Sequence, residues 1–375
     1  MTDYRHDFSD FGPVTYLNCA YHGPFPRVTA ERIRRAVEIE SDPTQLVTAD
    51  FFELRERIRA RLSGLLGASP DEIALVGSAT QAIGILAGGL EFRPGDEVVI
   101  SSENFPSNLF TWINLRRRGV KVNVLRPTRG YLSTDEVKAA MNSRTRVLAL
   151  DWVNYSTGVR IDLAELGELA HQHGALFVVD ATQGAGAIPV NLRTLPVDGM
   201  VAAAYKWLLG PYGTGFLYVN AKFQEQLDLK VVSWLSVEGA EDFDALPAEE
   251  FAVLKSARRF DILTFLGMYG LDASLEFLER VGVRTVHEHC TRLLDRLTRG
   301  LKKKGYGLSA ADDPERRSTI LCFQARSPDA SAALYQKLKS EKIAVSLRHG
   351  MIRVSPHLYN DEADIDRLLA AAGGA

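Results

Sequence analysis

Between residues 71 and 219 the chain repeats one unit, a short apolar run followed by a segment of helical period, and few architectures accept that rhythm. The apolar runs fall at 73–76, 97–100, 122–125, 147–150, 176–179, 200–203 and 215–219. Segments long enough to be crossover helices lie between them, at 80–90, 107–118, 134–141 and 163–173. The pattern predicts an α/β fold whose large domain is built on a mostly parallel seven-stranded sheet covered on both faces. Ahead of it, Phe51, Leu54, Ile58, Leu62 and Leu65 recur at spacings of three and four and mark one face of a helix over 51–66.

After the sheet, the acidic stretch 238–250 reads as a surface loop. From Phe265 onward a long helical segment, an apolar run at 318–324, a helix around 330–341 and runs at 343–346 and 351–354 suggest a smaller C-terminal α+β domain. The organisation is read as an N-terminal segment, 1–50, packing on the small domain and the active site, a large domain over 51–260 and a small domain over 261–375.

Composition narrows the possible partners. The 44 Lys and Arg residues nearly balance 47 Asp and Glu, and no basic block runs along the chain, so neither a nucleic-acid nor a membrane partner is expected. The first ten residues mix charges and lack the apolar centre of a secretory signal. Three scattered cysteines, Cys19, Cys290 and Cys322, are too few for a disulfide framework or a four-cysteine metal site. These features point to the cytoplasm.

Open sheets of this kind bind ligands where their strands stop, and four of these strand ends carry chemistry. The run at 175–179 ends in Asp180, a carboxylate that must be paired or hydrogen-bonded if buried. Alone it would cap the next helix; as a functional group it would hold a buried cationic nitrogen. The run at 200–205 ends in Lys206, where desolvation favours the neutral amine that forms Schiff bases. The run at 73–76 leads through Gly77 and Ser78 into Ala79 and Thr80, a helix start whose free amides can cradle a phosphate. The run at 97–100 delivers Phe105, a ring on which a planar cofactor can stack. A Schiff-base lysine, a carboxylate, a phosphate cradle and a stacking ring together match what pyridoxal 5'-phosphate requires.

With those residues in place, the chain resembles the class V aminotransferase family of fold-type-I pyridoxal-phosphate enzymes, from Tyr16 to Asn360. That family includes cysteine desulfurases, C–S lyases, isopenicillin-N-epimerase-like proteins and kynureninases. The resemblance implies that Lys206 carries the cofactor as a Schiff base and moves protons at the substrate α-carbon. It implies that Asp180 keeps the pyridine nitrogen protonated, that Gln183 bonds the cofactor's phenolic oxygen and that Ala79 and Thr80 hold its phosphate. Phe105 would stack on the ring, Arg353 would fork onto the substrate carboxylate, and Tyr205 would serve as a phosphate donor and second acid or base. Thr264 would reach the phosphate of a partner subunit, since the family's active sites lie at a homodimer interface. Asn154 or Tyr155 is a further cofactor contact, and Cys19 skirts the site as a packing residue.

Departures from the family pattern narrow the reaction. Desulfurases carry a mobile cysteine between two C-terminal arginine motifs, whereas the segment from Arg348 to Arg353 is short and has none. Ala203 and Tyr205 stand where desulfurases often have Ser and His. The leading expectation is therefore β-elimination from a cysteine-like amino acid. Epimerisation, transamination and kynureninase-type hydrolysis are the alternatives, with a non-catalytic cofactor-binding homologue last. Two His-x-His pairs, His171 with His173 and His287 with His289, would point to nearly opposite helix faces, which disfavours a metal. Gly184-Ala-Gly186 lacks the third glycine of a dinucleotide fingerprint.

Overall fold

A computed structural model describes residues 4–128, 131–242, 244, 250–262, 264–309 and 313–374. The chain opens with β1 (Thr15–Tyr16), α1 (Arg27–Ser41) and α2 (Thr48–Leu66). It continues through β2 (Ile73–Val76), α3 (Ala79–Gly89), β3 (Glu97–Ser101), α4 (Pro106–Ile113), β4 (Lys121–Leu125), α5 (Thr134–Ala140) and β5 (Thr145–Asp151). Then come α6 (Leu163–Gln172), β6 (Leu176–Asp180), β7 (Gly199–Ala203), β8 (Gly215–Val219) and the short α7 (Ala221–Gln224). Beyond them lie α8 (Phe265–Val281), α9 (Val283–Lys303), β9 (Gly307–Leu308), β10 (Leu321–Gln324) and α10 (Pro328–Ser340). The chain closes with β11 (Ile343–Ala344), β12 (Ser346–Arg348), β13 (Met351–Val354) and α11 (Glu362–Ala372).

All seven apolar runs of the repeating region are strands of one sheet, in the order β2-β8-β7-β6-β5-β3-β4. Pairing is parallel except at β8, which runs antiparallel to both of its neighbours. Because β2 and β7 both oppose β8, the carboxyl ends of β2, β3, β5, β6 and β7 all face the same edge of the sheet. Apolar cores form on both faces, one including Leu148, Val179 and Phe216, the other Ala149, Val178 and Leu217.

The helix expected over 51–66 starts three residues early, at Thr48, and two further expected helices differ more from their sequence reading. The segment 107–118 starts a residue early, at Pro106, whose fixed φ suits a first helical position. It tightens into a 3-10 turn over Asn114–Arg118 that Gly119 ends at φ +78°. The long segment after Phe265 breaks at Gly282, φ +83°, into α8 and α9. Leu271, Leu275 and Leu278 of α8 join a core of the large sheet, whereas Leu293, Leu297 and Leu301 of α9 join Leu17 and the four-stranded sheet β12-β13-β10-β9. The N-terminal segment is stitched to this C-terminal unit by parallel pairing of β1 with β11. Within the acidic stretch 238–250, residues 243 and 245–249 lie outside the described residues.

Buried ion pairs lock the helices to the sheet. Asp261 receives Arg55 at 2.6 Å and Arg59 at 2.7 Å, and accepts the Leu75 N–H of β2 at 2.8 Å. Asp272 of α8 receives Arg57 and Arg61 of α2, each at 3.1 Å, with Arg32 of α1 at 3.5 Å. Removing one partner of such a buried group strands the other's charge. Asp261→Ala is therefore expected to lower stability by about 3–5 kcal/mol, read from the denaturant midpoint, and a change within a few tenths of the wild type would contradict this account.

Candidate active site

Lys206 lies three residues past β7, buried to 5% exposure. Its ammonium sits 5.1 Å from the centre of the Phe105 ring and 5.5 Å from that of Tyr205. Burial lowers its pKa to about 8, with Arg353 and Arg348 acting in the same direction and Asp180 and Asp151 opposing. The amine is thus far easier to deprotonate than a surface lysine.

Asp180 ends β6, and its register partner Asp151 ends β5, so the sheet sets two buried carboxylates at neighbouring strand ends. An Asp180 oxygen accepts the Thr182 N–H at 2.9 Å. Burial raises the pKa of both acids, and the charge of Asp180 raises that of Asp151 further. Asp151 is a residue that the sequence reading missed, although its position mirrors that of Asp180: an acid closing an unbroken apolar run.

Helix α3 begins beside them. The Ser78 hydroxyl caps it by accepting the Gln81 N–H at 3.1 Å, and its carbonyl accepts the Ala82 N–H at 3.1 Å. The amides of Ala79 and Thr80 fall in the first turn, where the helix offers them no acceptor. The Thr80 hydroxyl meets that of Ser107, at the start of α4, at 2.7 Å. Two helix N-termini and two hydroxyls therefore come together.

Arg353, on β13, is 2% exposed. Its Nη1 donates to the Tyr155 carbonyl at 2.5 Å and its Nη2 to the Ser346 hydroxyl at 3.4 Å, while Nε has no partner. No carboxylate pairs with this guanidinium among the described residues, and burial lowers its pKa to about 10. A buried cation with a spare donor is a site for an incoming anion.

The remaining expected residues are placed as follows. The Gln183 side chain donates to the Ala20 carbonyl at 2.9 Å and accepts the Trp207 indole N–H at 2.9 Å, leaving one amide hydrogen for a ligand. Tyr205 stacks on Tyr212 with ring centres 4.1 Å apart, and His22 stacks against both, 5.1 Å from Tyr212 and 6.1 Å from Tyr205. The Phe105 ring meets Tyr155 edge-on at 5.3 Å, and Asn154 turns its amide to the Glu103 carbonyl at 3.1 Å. Thr264 lies at the surface, donating to the Gly213 carbonyl at 3.2 Å.

Cys19 is buried with its sulfur 3.9 Å from the Lys206 carbonyl, and burial pushes its thiol up to about 12, as a packing residue requires. It belongs to a wall formed by residues 19–23. In that wall a Cβ on Gly23 would lie 1.9 Å from the Lys206 carbonyl oxygen, so only glycine lets the segment pass. The four helix histidines are tied elsewhere, with His171 on Asp198 at 2.8 Å and His289 on the Asn360 carbonyl at 2.9 Å.

A desolvated amine, buried acids, a double helix-terminus cradle, a stacking ring and an unpaired guanidinium form a site that fits pyridoxal phosphate and an amino-acid substrate. On the strand order seen here it defines a fold-type-I pyridoxal-phosphate enzyme. Residues 41–368 match the family model for aminotransferase class-V, and the chain belongs to that family. A probable cysteine desulfurase of Methanothermobacter thermautotrophicus is 29% identical, covering 98% of this chain and 96% of that one. An isopenicillin N epimerase of Streptomyces clavuligerus is 26% identical over 96% of this chain and 94% of its own. The solved complex of the cystine C–S lyase C-DES with its product cysteine persulfide superposes with a TM-score of 0.87 at 23% identity, covering 96% of this chain and 98% of that one. At that identity the superposition establishes the fold.

The Lys206 environment has a measurable consequence. Only the neutral amine attacks an aldehyde, so the rate at which cofactor-stripped protein takes up pyridoxal phosphate should fall about tenfold per pH unit below about 8 and level off above it. A rate still climbing towards 10.5, the ordinary lysine value, would show that the amine is not desolvated.

Proposed function

We propose that the protein is a pyridoxal-phosphate-dependent C–S lyase that performs β-elimination on a cysteine-like amino acid. The observation that carries this reading is the pairing of Lys206 with Arg353: a low-pKa amine and an unpaired buried guanidinium in one electrostatic neighbourhood. Between them an α-amino acid finds a carbonyl chemistry for its nitrogen and a fork for its carboxylate.

Bound there, pyridoxal phosphate supplies an electron sink for negative charge at the substrate α-carbon. The amides of Ala79 and Thr80, with the Thr80 hydroxyl, would hold the phosphate, and Tyr205 would add a donor. Phe105 would stack on the ring, Asp180 would hold the proton on the ring nitrogen and the free amide hydrogen of Gln183 would bond the phenolic oxygen. Arg353 binds the substrate carboxylate. Lys206 accepts the α-proton, the Cβ–S bond breaks with its electron pair leaving on sulfur, and a proton returned to sulfur completes the thiol. Hydrolysis of the remaining three-carbon fragment yields pyruvate and ammonia.

The thiols support a lyase over a persulfide-forming desulfurase. β12 and β13 are joined by only His349 and Gly350, a two-residue turn with φ +47° and +77°. Such a turn has no length for a mobile cysteine. Cys19, Cys290 and Cys322 are all buried, and burial raises the thiol pKa of each. Epimerisation is the second reading, supported by Tyr205 as an acid or base beside Lys206 and by the epimerase relative.

The experiment is a panel of cysteine, cystine and S-substituted cysteines, followed by visible absorption and pyruvate release. Pyruvate formation is expected with at least one member, along with loss of the borohydride-reducible adduct in Lys206→Ala. Absence of pyruvate across the panel would sink the lyase, and an unchanged adduct would sink the lysine assignment.

We also read a homodimer whose interface runs past the site, in the cytoplasm. Tyr21, Tyr212, Phe110 and Trp234 are exposed apolar side chains and Thr264 is exposed beside Gly213, which supports this reading. Among the described residues no helix is long and apolar enough to cross a membrane. Sedimentation equilibrium should give twice the chain mass at micromolar concentration, and a monomer there would remove the interface and the role of Thr264 with it.

A further inference from the structure

Asp151 is the buried acid that the reaction above leaves unused. It closes β5 as Asp180 closes β6, and in parallel pairing the two register partners present their side chains to the same face. One Asp151 oxygen accepts the Phe105 N–H at 2.6 Å, and the other accepts the Asn108 amide at 3.0 Å. Asn108 in turn accepts the Trp112 indole N–H at 2.9 Å. Asn104 donates to the Ala149 carbonyl at 2.9 Å and to that of Asn108 at 3.2 Å. The network fixes the turn between β3 and α4, which delivers both Phe105 and Ser107.

Both Asp151 oxygens accept from N–H donors, which together with the Lys206 charge favour its ionised form against the burial and the Asp180 charge that raise its pKa. Its charge stands among the others of the site: Asp180 from β6, Lys206 after β7, Arg348 from β12 and Arg353 from β13. Two adjacent buried anions tolerate each other only with cations in front of them, and Lys206 is a cation whose charge acts on both.

We propose that Asp151 is a positioning residue for the cofactor: its carboxylate latches the Phe105 ring and adds a second negative charge beside Asp180 that favours the protonated form of the unit built on Lys206. The proposal rests on the reading that Lys206 carries pyridoxal phosphate.

The test uses the holoenzyme and three variants. Asp151→Asn keeps the size and one acceptor but loses the charge; Asn108→Ala keeps the charge and removes one donor; Asp151→Glu keeps the charge and displaces it. The readouts are the pH midpoint of the visible cofactor band, visible circular dichroism, and the dissociation constant for pyridoxal phosphate. Loss of one nearby negative charge should move the midpoint of Asp151→Asn down by roughly one pH unit, while Asn108→Ala holds the wild-type midpoint but loses dichroism as the ring loosens. Cofactor affinity should weaken about tenfold in Asp151→Asn, a loss of about 1.4 kcal/mol.

A folded Asp151→Asn protein with the wild-type midpoint and affinity overturns the proposal. Should that variant fail to fold, Asp151→Glu and Asn108→Ala decide: altered dichroism in both supports the latch, and wild-type dichroism in both overturns it. If the wild type shows no visible band that depends on Lys206, the underlying cofactor reading fails first, before any Asp151 variant is made, and the proposal falls with it.

Discussion

Two anions and two cations, Asp151, Asp180, Lys206 and Arg353, are buried around one edge of the large sheet. Any one of them alone in an apolar interior would cost several kcal/mol or change its protonation. Their formal charges cancel, and each shifts the others: Asp180 raises the proton affinity of Asp151 and of Lys206, while Arg353 lowers that of Lys206. The sheet makes this tolerable because parallel strands end together, so Asp151, Asp180 and Lys206 come from the ends of β5 and β6 and the turn after β7 without crossing the core, and β13 of the smaller sheet adds Arg353.

The other buried acids show what a purely structural solution looks like. Asp261 has two arginines and a main-chain N–H, and Asp272 has three arginines within 3.5 Å. Neither leaves a cation wanting. At the strand ends the pairing is looser: Arg353 keeps an unused Nε, and Asp180 is stabilised by the Thr182 N–H and hydroxyl and by the charge of Lys206, whose amine burial makes easy to deprotonate. Loose pairing of buried charge destabilises a fold unless a ligand completes it, and on the function proposed above an amino acid with a phosphorylated pyridine aldehyde would complete each gap.

Much of this was legible in the chain. The period of the apolar runs marks all seven strands of the large sheet, and reading the residue just past each run leads to Asp180, Lys206, Ala79 and Phe105. What was not legible depends on three-dimensional closure. Asp151 obeys the same rule as Asp180 but was not singled out, because nothing local reveals that it receives Phe105 across the neighbouring strand. The wall at 19–23 is invisible to periodicity, since Cys19, Ala20 and Gly23 reach the site by meeting Lys206, Gln183 and Tyr205 from more than a hundred residues away. The break at Gly282 was available as a glycine in a helical run, yet only the divergent packing of α8 and α9 makes a positive φ there necessary.

The turn between β12 and β13 bears most on what kind of sulfur chemistry the site can host. Arg348 and Met351 are register partners, so His349 and Gly350 form the entire connection, and a left-handed φ at His349 is the cost of keeping it so short. That tight hairpin holds Arg353 in the middle of a strand flanked on both sides, where its guanidinium is fixed against Tyr155 and Ser346. A longer loop could bring a cysteine to the substrate sulfur but would loosen the strand that orients the carboxylate fork. The three thiols are instead aimed at main-chain carbonyls, of Lys206, Pro356 and Ser156. In a lyase of this design sulfur leaves on a small molecule, because the protein offers nothing on which it could be carried.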